Sequence, residues 1–130
     1  MSMINTVLQN DTAVTAGGLI PWGVPVHGNG AGITLRGNTI TVSGKGFYEV
    51  IASVTGSVPA GAATIKMMAN GSDIQGAKAT ITNSGSAAAA ESVTVIGVVM
   101  IRCCESVDLT LSSSVAGTIT NVSAIVRKVG

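Results

Sequence analysis

The sequence is short of charge. Of its 130 residues only 10% are Lys, Arg, Asp or Glu, where soluble domains average about 25%, and seven basic against six acidic residues leave a net charge of +1. That balance gives no electrostatic footprint for nucleic acid or an acidic membrane surface. Aromatic residues are scarcer still: Trp22, Phe47 and Tyr48 stand alone. There is one histidine, His27, and the only cysteines are the adjacent Cys103 and Cys104. A metal site would have to be assembled from these and scattered carboxylates, without any of the spacings that zinc sites use, so no metal and no cofactor is expected. No apolar run approaches the roughly 18 residues of a membrane-spanning helix, because Thr94 and Gly97 interrupt the longest one. Met1-Ser2-Met3-Ile4-Asn5 shows no basic region followed by an apolar segment, so a product made in the cytoplasm is expected. Helix signals are nearly missing as well. Ser86 to Glu91, with its four alanines, is too short to hold alone in water and reads as a loop.

What is abundant is β-forming. With 17 Val, 12 Ile and 14 Thr, β-branched residues supply a third of the chain, and 17 Gly punctuate it. One domain of 12.8 kDa would expose roughly 6,300 Å², far more than the few charges can cover. The remainder has to be neutral polar surface, for which Ser, Thr and Asn are plentiful, or surface hidden in an oligomer.

The strongest strand is Val93 to Ile101. Val93, Val95, Val99 and Ile101 share one face, and Ile96, Val98 and Met100 share the other. A strand in a one-sided antiparallel sheet alternates apolar with polar, so this one is covered twice. In Phe47 to Thr55, Tyr48, Val50, Ala52 and Val54 face inward, with Glu49 and Ser53 opposite. Val107 to Leu111 alternates cleanly, whereas Thr118 to Arg127 is apolar on both sides, with Ile119 and Ile125 set against Val122, Ala124 and Val126. Weaker strands are expected at Ile33 to Leu35, Thr39 to Val42, Thr64 to Ala69 and Ile74 to Thr82. Arg36-Gly37-Asn38, Ser43-Gly44-Lys45-Gly46 and Asn70-Gly71-Ser72-Asp73 supply turn chemistry between them. Eight or more short strands at this spacing predict an all-β, two-sheet antiparallel jelly-roll sandwich over 31–130. Residues 1–30 are less regular, and Gly28-Asn29-Gly30-Ala31-Gly32 reads as a join to a looser N-terminal arm that attaches the domain elsewhere.

The order of these motifs resembles a known family. Gly32-Ile33-Thr34-Leu35, Asn38-Thr39-Ile40-Thr41-Val42 and Gly44-Lys45-Gly46-Phe47-Tyr48-Glu49-Val50 resemble the front half of the tumour-necrosis-factor-like jelly roll, where a glycine and a tyrosine open a central strand. Ile65 to Gln75, with Asn70-Gly71 at its turn, is similar to that family's strand-turn-strand. Glu105 to Leu111 followed by Thr118 to Val126 is similar to its closing strands. The resemblance covers Ala31 to Val129 and is nearest to the glycine-, alanine- and threonine-rich bacterial and phage branch, which includes the C-terminal domains of spore-surface glycoproteins and phage head-fibre or decoration proteins. It implies a homotrimer in which one sheet packs around a threefold axis. The second apolar faces would then be subunit contacts, with Ile96, Val98, Met100 and Ile125 at the interface. Compared with receptor-binding members, aromatics and charges are few and a collagen-like stalk is missing, which weakens a signalling role.

Catalytic chemistry finds little to build on. Asp11, Glu49, Asp73, Glu91, Glu105 and Asp108 show no spacing of acid and base partners, and His27 reads as a loop or surface residue. The glycine-rich stretches lead into no helix that could hold a phosphate. Asn10-Asp11-Thr12, Asn70-Gly71-Ser72 and Asn121-Val122-Ser123 match the glycosylation triplet, which chance explains in so Asn/Ser/Thr-rich a chain. Met67-Met68 puts one sulfur in the core and one outward. Cys103 and Cys104, as strand neighbours, would point to opposite faces as buried or half-buried thiols, a strained vicinal disulfide being the alternative. Trp22, between Pro21 and Pro25, either caps its own barrel or anchors the arm on a partner. The expectation is therefore a non-enzymatic homotrimer on a phage capsid, located in the virion, with the major capsid protein or another virion component as partner and with Trp22 docking. An adhesin or carbohydrate-binding tip on a phage tail or a bacterial or spore surface is the alternative.

Overall fold

The computed structural model describes residues 3–29, 32–58, 61–83 and 89–130. Among them every regular element is a strand, and no helix is long and apolar enough to cross a membrane. The strands are β1 (Met3–Leu8), β2 (Thr12–Val14), β3 (Leu19–Ile20), β4 (Val24–Asn29), β5 (Ile33–Arg36), β6 (Thr39–Ser43), β7 (Gly46–Val58), β8 (Gly61–Ala69), β9 (Ser72–Asn83), β10 (Ala89–Ile101), β11 (Ser106–Ser113) and β12 (Gly117–Lys128). They form two antiparallel sheets. The first runs β10-β7-β12-β1-β4 with β2 paired to β12, and the second runs β5-β6-β11-β8-β9 with β3 paired to β11.

The core lies between the sheets and follows the period-two pattern. Tyr48, Val50, Ala52 and Val54 of β7 are buried, as are Val95, Val99 and Ile101 of β10. Ile40, Val42, Ile65, Met67, Leu109 and Leu111 meet them from the second sheet. Gly97 makes the layers fit, because a Cβ there would stand 3.2 Å from the Ala77 Cβ and 3.4 Å from Ile74 and Met67. The β8-β9 hairpin closes on Asn70 and Gly71, whose φ values of 52° and 82° are those of a two-residue type I′ turn. Asn70 also ties the turn to β11, its amide donating to the Asp108 carbonyl and its side-chain oxygen accepting from the Asp108 amide, both at 2.9 Å. At the start of β7 the Tyr48 hydroxyl donates to the carbonyls of Ser43 and Gly44, so the tyrosine fixes the turn that precedes its own strand.

Four expectations are revised. Residues 3–29 are no loose arm: β1 pairs with β12 along its whole length, from Met3 opposite Arg127 to Leu8 opposite Val122, and β3 joins the second sheet, while Gly30 and Ala31 of the expected join lie outside the described residues. Pro25 sits in β4, at the edge of the first sheet, where a missing amide donor costs no ladder bond. In β12 a register shift between Ile119 and Asn121 brings Ile119 to the inner face beside Val122, so only Ile125 of the expected outer pair is exposed. His27 lies in β4 and not in a loop, and it is exposed, as its reading as a surface residue had it. Within the segment Ser86 to Glu91 expected as a loop, residues 86–88 lie outside the described residues, and β10 already runs from Ala89.

One inward group on β1 lacks a partner. The Thr6 Oγ1 is fully buried and makes no hydrogen bond among the described residues. Burying an unpaired hydroxyl costs about 1–3 kcal/mol, so Thr6→Val is expected to raise the unfolding free energy by about 1 kcal/mol in chemical denaturation. A loss of stability would show that the hydroxyl is satisfied in solution.

Candidate assembly face

The outer surface of the first sheet carries the feature that composition could not explain. Register places Ile96 of β10 opposite Ile51 of β7, and Ile51 opposite Ile125 of β12. Three isoleucines therefore form one row across three strands. One step along, Val98 faces Glu49, and Glu49 faces Arg127. A further step pairs Met100 with Phe47, whose carbonyl accepts from the Val129 amide. Ile96, Val98 and Met100 are 55%, 58% and 52% exposed, and Phe47 and Val129 are about as open. Clustered apolar side chains at such exposures form a patch rather than scattered surface residues.

Much of the patch's border is polar. Toward the other end of the same strands Thr94 faces Ser53 and Ser53 faces Ser123, and the Thr55 and Ser92 hydroxyls are bonded at 2.6 Å, although the serine row continues into Val7 and the exposed Val24 of β4. On the β1 side the isoleucine row continues into Asn5 and then His27, with the Asn5 amide donating to the Ala124 carbonyl. Inside the patch the one ion pair is Arg127 to Glu49, at 3.5 Å. In the isolated chain such an exposed pair contributes about 0–1 kcal/mol. Under a cover it would be desolvated and would favour the one alignment that keeps it paired.

All four residues expected at an interface, Ile96, Val98, Met100 and Ile125, thus lie on one exposed face. Sequence reasoning did not single out Ile51, Phe47 and Val129, which complete it. The signal for the first two was their place among the outward positions of a strand whose inner set was already full.

Of the two readings of Trp22, capping its own barrel is the one the structure supports, and docking on a partner is corrected. Trp22 is completely buried, and its indole N–H donates to the Leu109 carbonyl at 3.2 Å, so the residue closes the end of its own core and leaves no surface to offer. The cysteines also differ from expectation. Both are exposed and free, in a turn where the Glu105 amide donates to the Arg102 carbonyl and Cys104 takes φ 69°. The turn breaks strand alternation, so the two sulfurs lie together at 3.1 Å. The hydrogen bond to Cys104 pushes the Cys103 thiol above its ordinary pKa. Among the described residues no group of three or more His, Cys, Asp or Glu is placed to hold a metal ion.

No protein-family model matches the chain, and no curated protein matches it in sequence. Solved structures do. The globular domain of zebrafish complement 1qA protein superposes with a TM-score of 0.78 at 7% identity, over 100% of this chain and 98% of that one. Murine APRIL gives 0.69 at 17% identity, with 98% of each chain covered. The PRD1 vertex protein P5 gives 0.65 at 14% identity, covering 99% of this chain and 97% of that one. The chain therefore has a tumour-necrosis-factor-like jelly-roll fold.

Two outcomes follow. Trp22→Ala is expected to cost about 3–5 kcal/mol, and Trp22→Phe about 1 kcal/mol from the lost hydrogen bond, both read by denaturant titration. A surface role would leave both near zero. Cys104→Ala removes the bond that holds the Cys103 proton, so at fixed pH near 8 Cys103 is expected to alkylate faster. An unchanged rate would show that the two thiols do not interact.

Proposed function

We propose that this chain is a non-enzymatic structural protein that assembles as a homotrimer and decorates a larger particle, a phage capsid in the first instance, as a head-decoration or head-fibre protein of the bacterial and phage branch of its fold. The observation that carries the reading is the apolar outer face of β10, β7 and β12. That face is one the chain cannot bury by itself, since its core is already closed by the opposite sides of the same strands. A second and a third copy offer the same face and can bury it symmetrically. The small number of charges fits a surface partly hidden between copies, and the likeness to a vertex protein supports the reading at the level of fold. The virion is the corresponding location, with the capsid protein or another virion component as partner. The attaching surface is not Trp22, which serves the core.

Val98→Asp tests the assembly. In a single chain Val98 is more than half exposed, so the change is expected to leave the chain folded, at a cost of about 1–2 kcal/mol from the low strand propensity of Asp and the like charge of Glu49 opposite. In a closed interface it buries a carboxylate directly across from Glu49, at a cost of several kcal/mol. Light scattering on the purified chain is expected to give about 38 kDa, three times 12.8 kDa, and a single-chain mass for the variant. A wild-type mass of one chain at micromolar concentration, or a variant that remains trimeric, would contradict the proposal.

A further inference from the structure

The opposite side of the molecule holds a second surface with chemistry of its own. On the outer face of the second sheet, Lys66 of β8 stands directly opposite Lys78 of β9. Like charges facing each other across a ladder are destabilising, and the hairpin does not impose this pairing. Ala69 opposite Ser72 and Met68 opposite Asp73 set a register that, continued without interruption, would put Gln75 across from Lys66. A bulge between Lys66 and Met68, with Gly76 at φ 80°, carries Lys78 there instead. Bulges of this kind re-aim side chains and are frequent beside binding sites.

Among the described residues only one of the two ammonium groups has a carboxylate partner. Asp73 Oδ1 is 3.0 Å from Lys66 Nζ, and no ion pair to Lys78 is found among the described residues. These groups line a cleft of about 410 Å³, within the range of about 300–1,000 Å³ typical of small-molecule sites. On the wall formed by β11 and the residue that follows it, Ser112, opposite Lys66, is nearly buried, and the Ser114 Oγ accepts from the Thr64 amide at 2.8 Å, while among the described residues its hydroxyl proton has no acceptor. Met68 adds an apolar surface beside them.

The geometry points to a binding site for a monocarboxylate sugar, such as a sialic or uronic acid. The sugar carboxylate sits between Lys66 and Lys78 and supplies the missing negative charge. Asp73 accepts from ring or side-chain hydroxyls, Ser112 and Ser114 donate or accept, and Met68 packs on the C–H face of the ring. A phosphate dianion fits less well, because Asp73 repels its two charges more strongly than the single charge of a carboxylate and it offers Asp73 fewer hydroxyl donors than a sugar does. The site lies on the sheet opposite the assembly face, and it does not depend on that face being covered.

The test is a titration of the isotopically labelled chain, followed by amide NMR, with N-acetylneuraminic acid, galactose and inorganic phosphate as separate probes. Saturable shifts with the acid sugar, centred on Lys66, Lys78 and Ser112 to Ser114, are expected, with none from galactose. Lys78→Gln removes one charge-assisted hydrogen bond and is expected to weaken binding about ten- to a hundredfold. It also relieves the lysine pair, so the melting temperature of the free variant should be kept or raised. Ser112→Ala is expected to weaken binding less while leaving the spectrum folded, and Arg36→Gln, outside the cleft, to bind as the parent does. An absence of saturable shifts with the acid sugar, equal affinity for phosphate at the same amides, or parental affinity in Lys78→Gln would each overturn the proposal.

Discussion

Strand β7 is bonded along both edges, to β10 over thirteen residue pairs and to β12 over ten, and both of its faces carry large apolar residues. A strand in that position has no backbone group left to offer and cannot turn away either face. Its inner set, Tyr48, Val50, Ala52 and Val54, draws the second sheet over it and thereby sets the core. Its outer set, Phe47 and Ile51, sits between the outer residues of β10 and β12 and makes the exposed patch continuous. The core of the single chain and its exposed apolar patch come from the same strand.

The two sheets divide the remaining work. The first presents an apolar centre with largely hydroxyl-bearing borders and one ion pair, a surface suited to meeting copies of itself. The second keeps most of its large apolar residues inside and places lysines, an aspartate, serines and Met68 around a cleft on its outer face. Charge is scarce in this chain, and among the described residues it forms two ion pairs: Glu49 with Arg127 in the first surface, Lys66 with Asp73 in the second. The shortage of charge therefore has a location, the outer face of β10, β7 and β12, as well as a magnitude.

Local sequence was informative wherever strands were long and their alternation unbroken. β7, β10 and β11 were legible with their faces, as was the Asn70-Gly71 turn, because period two and positive-φ residues are local signals. Residues 3–29 were not. Their strands are short, Pro21 and Pro25 disguise them, and the pairing that orders them joins Met3 to Arg127 across nearly the whole chain. The turn at Cys103 and Cys104 was hidden because Arg102-Cys103-Cys104-Glu105 contains no glycine, proline or asparagine to announce it. The shift in β12 that turned Ile119 inward, and the bulge that set Lys78 across from Lys66, are properties of paired strands and have no signature in either strand alone. For the candidate sites, the apolar face was legible and its full membership was not, while the lysine cleft was invisible until the register was known.

The claim on which the rest turns is that the outer face of β10, β7 and β12 is covered in solution. Hydroxyl-radical footprinting of the purified chain reads this directly at Met100 and Phe47, with the exposed Cys103 and Cys104 as internal references. The account predicts that Met100 and Phe47 are protected in the native protein and become reactive in Val98→Asp. Native labelling of Met100 at the level its 52% exposure in the single chain implies would contradict it.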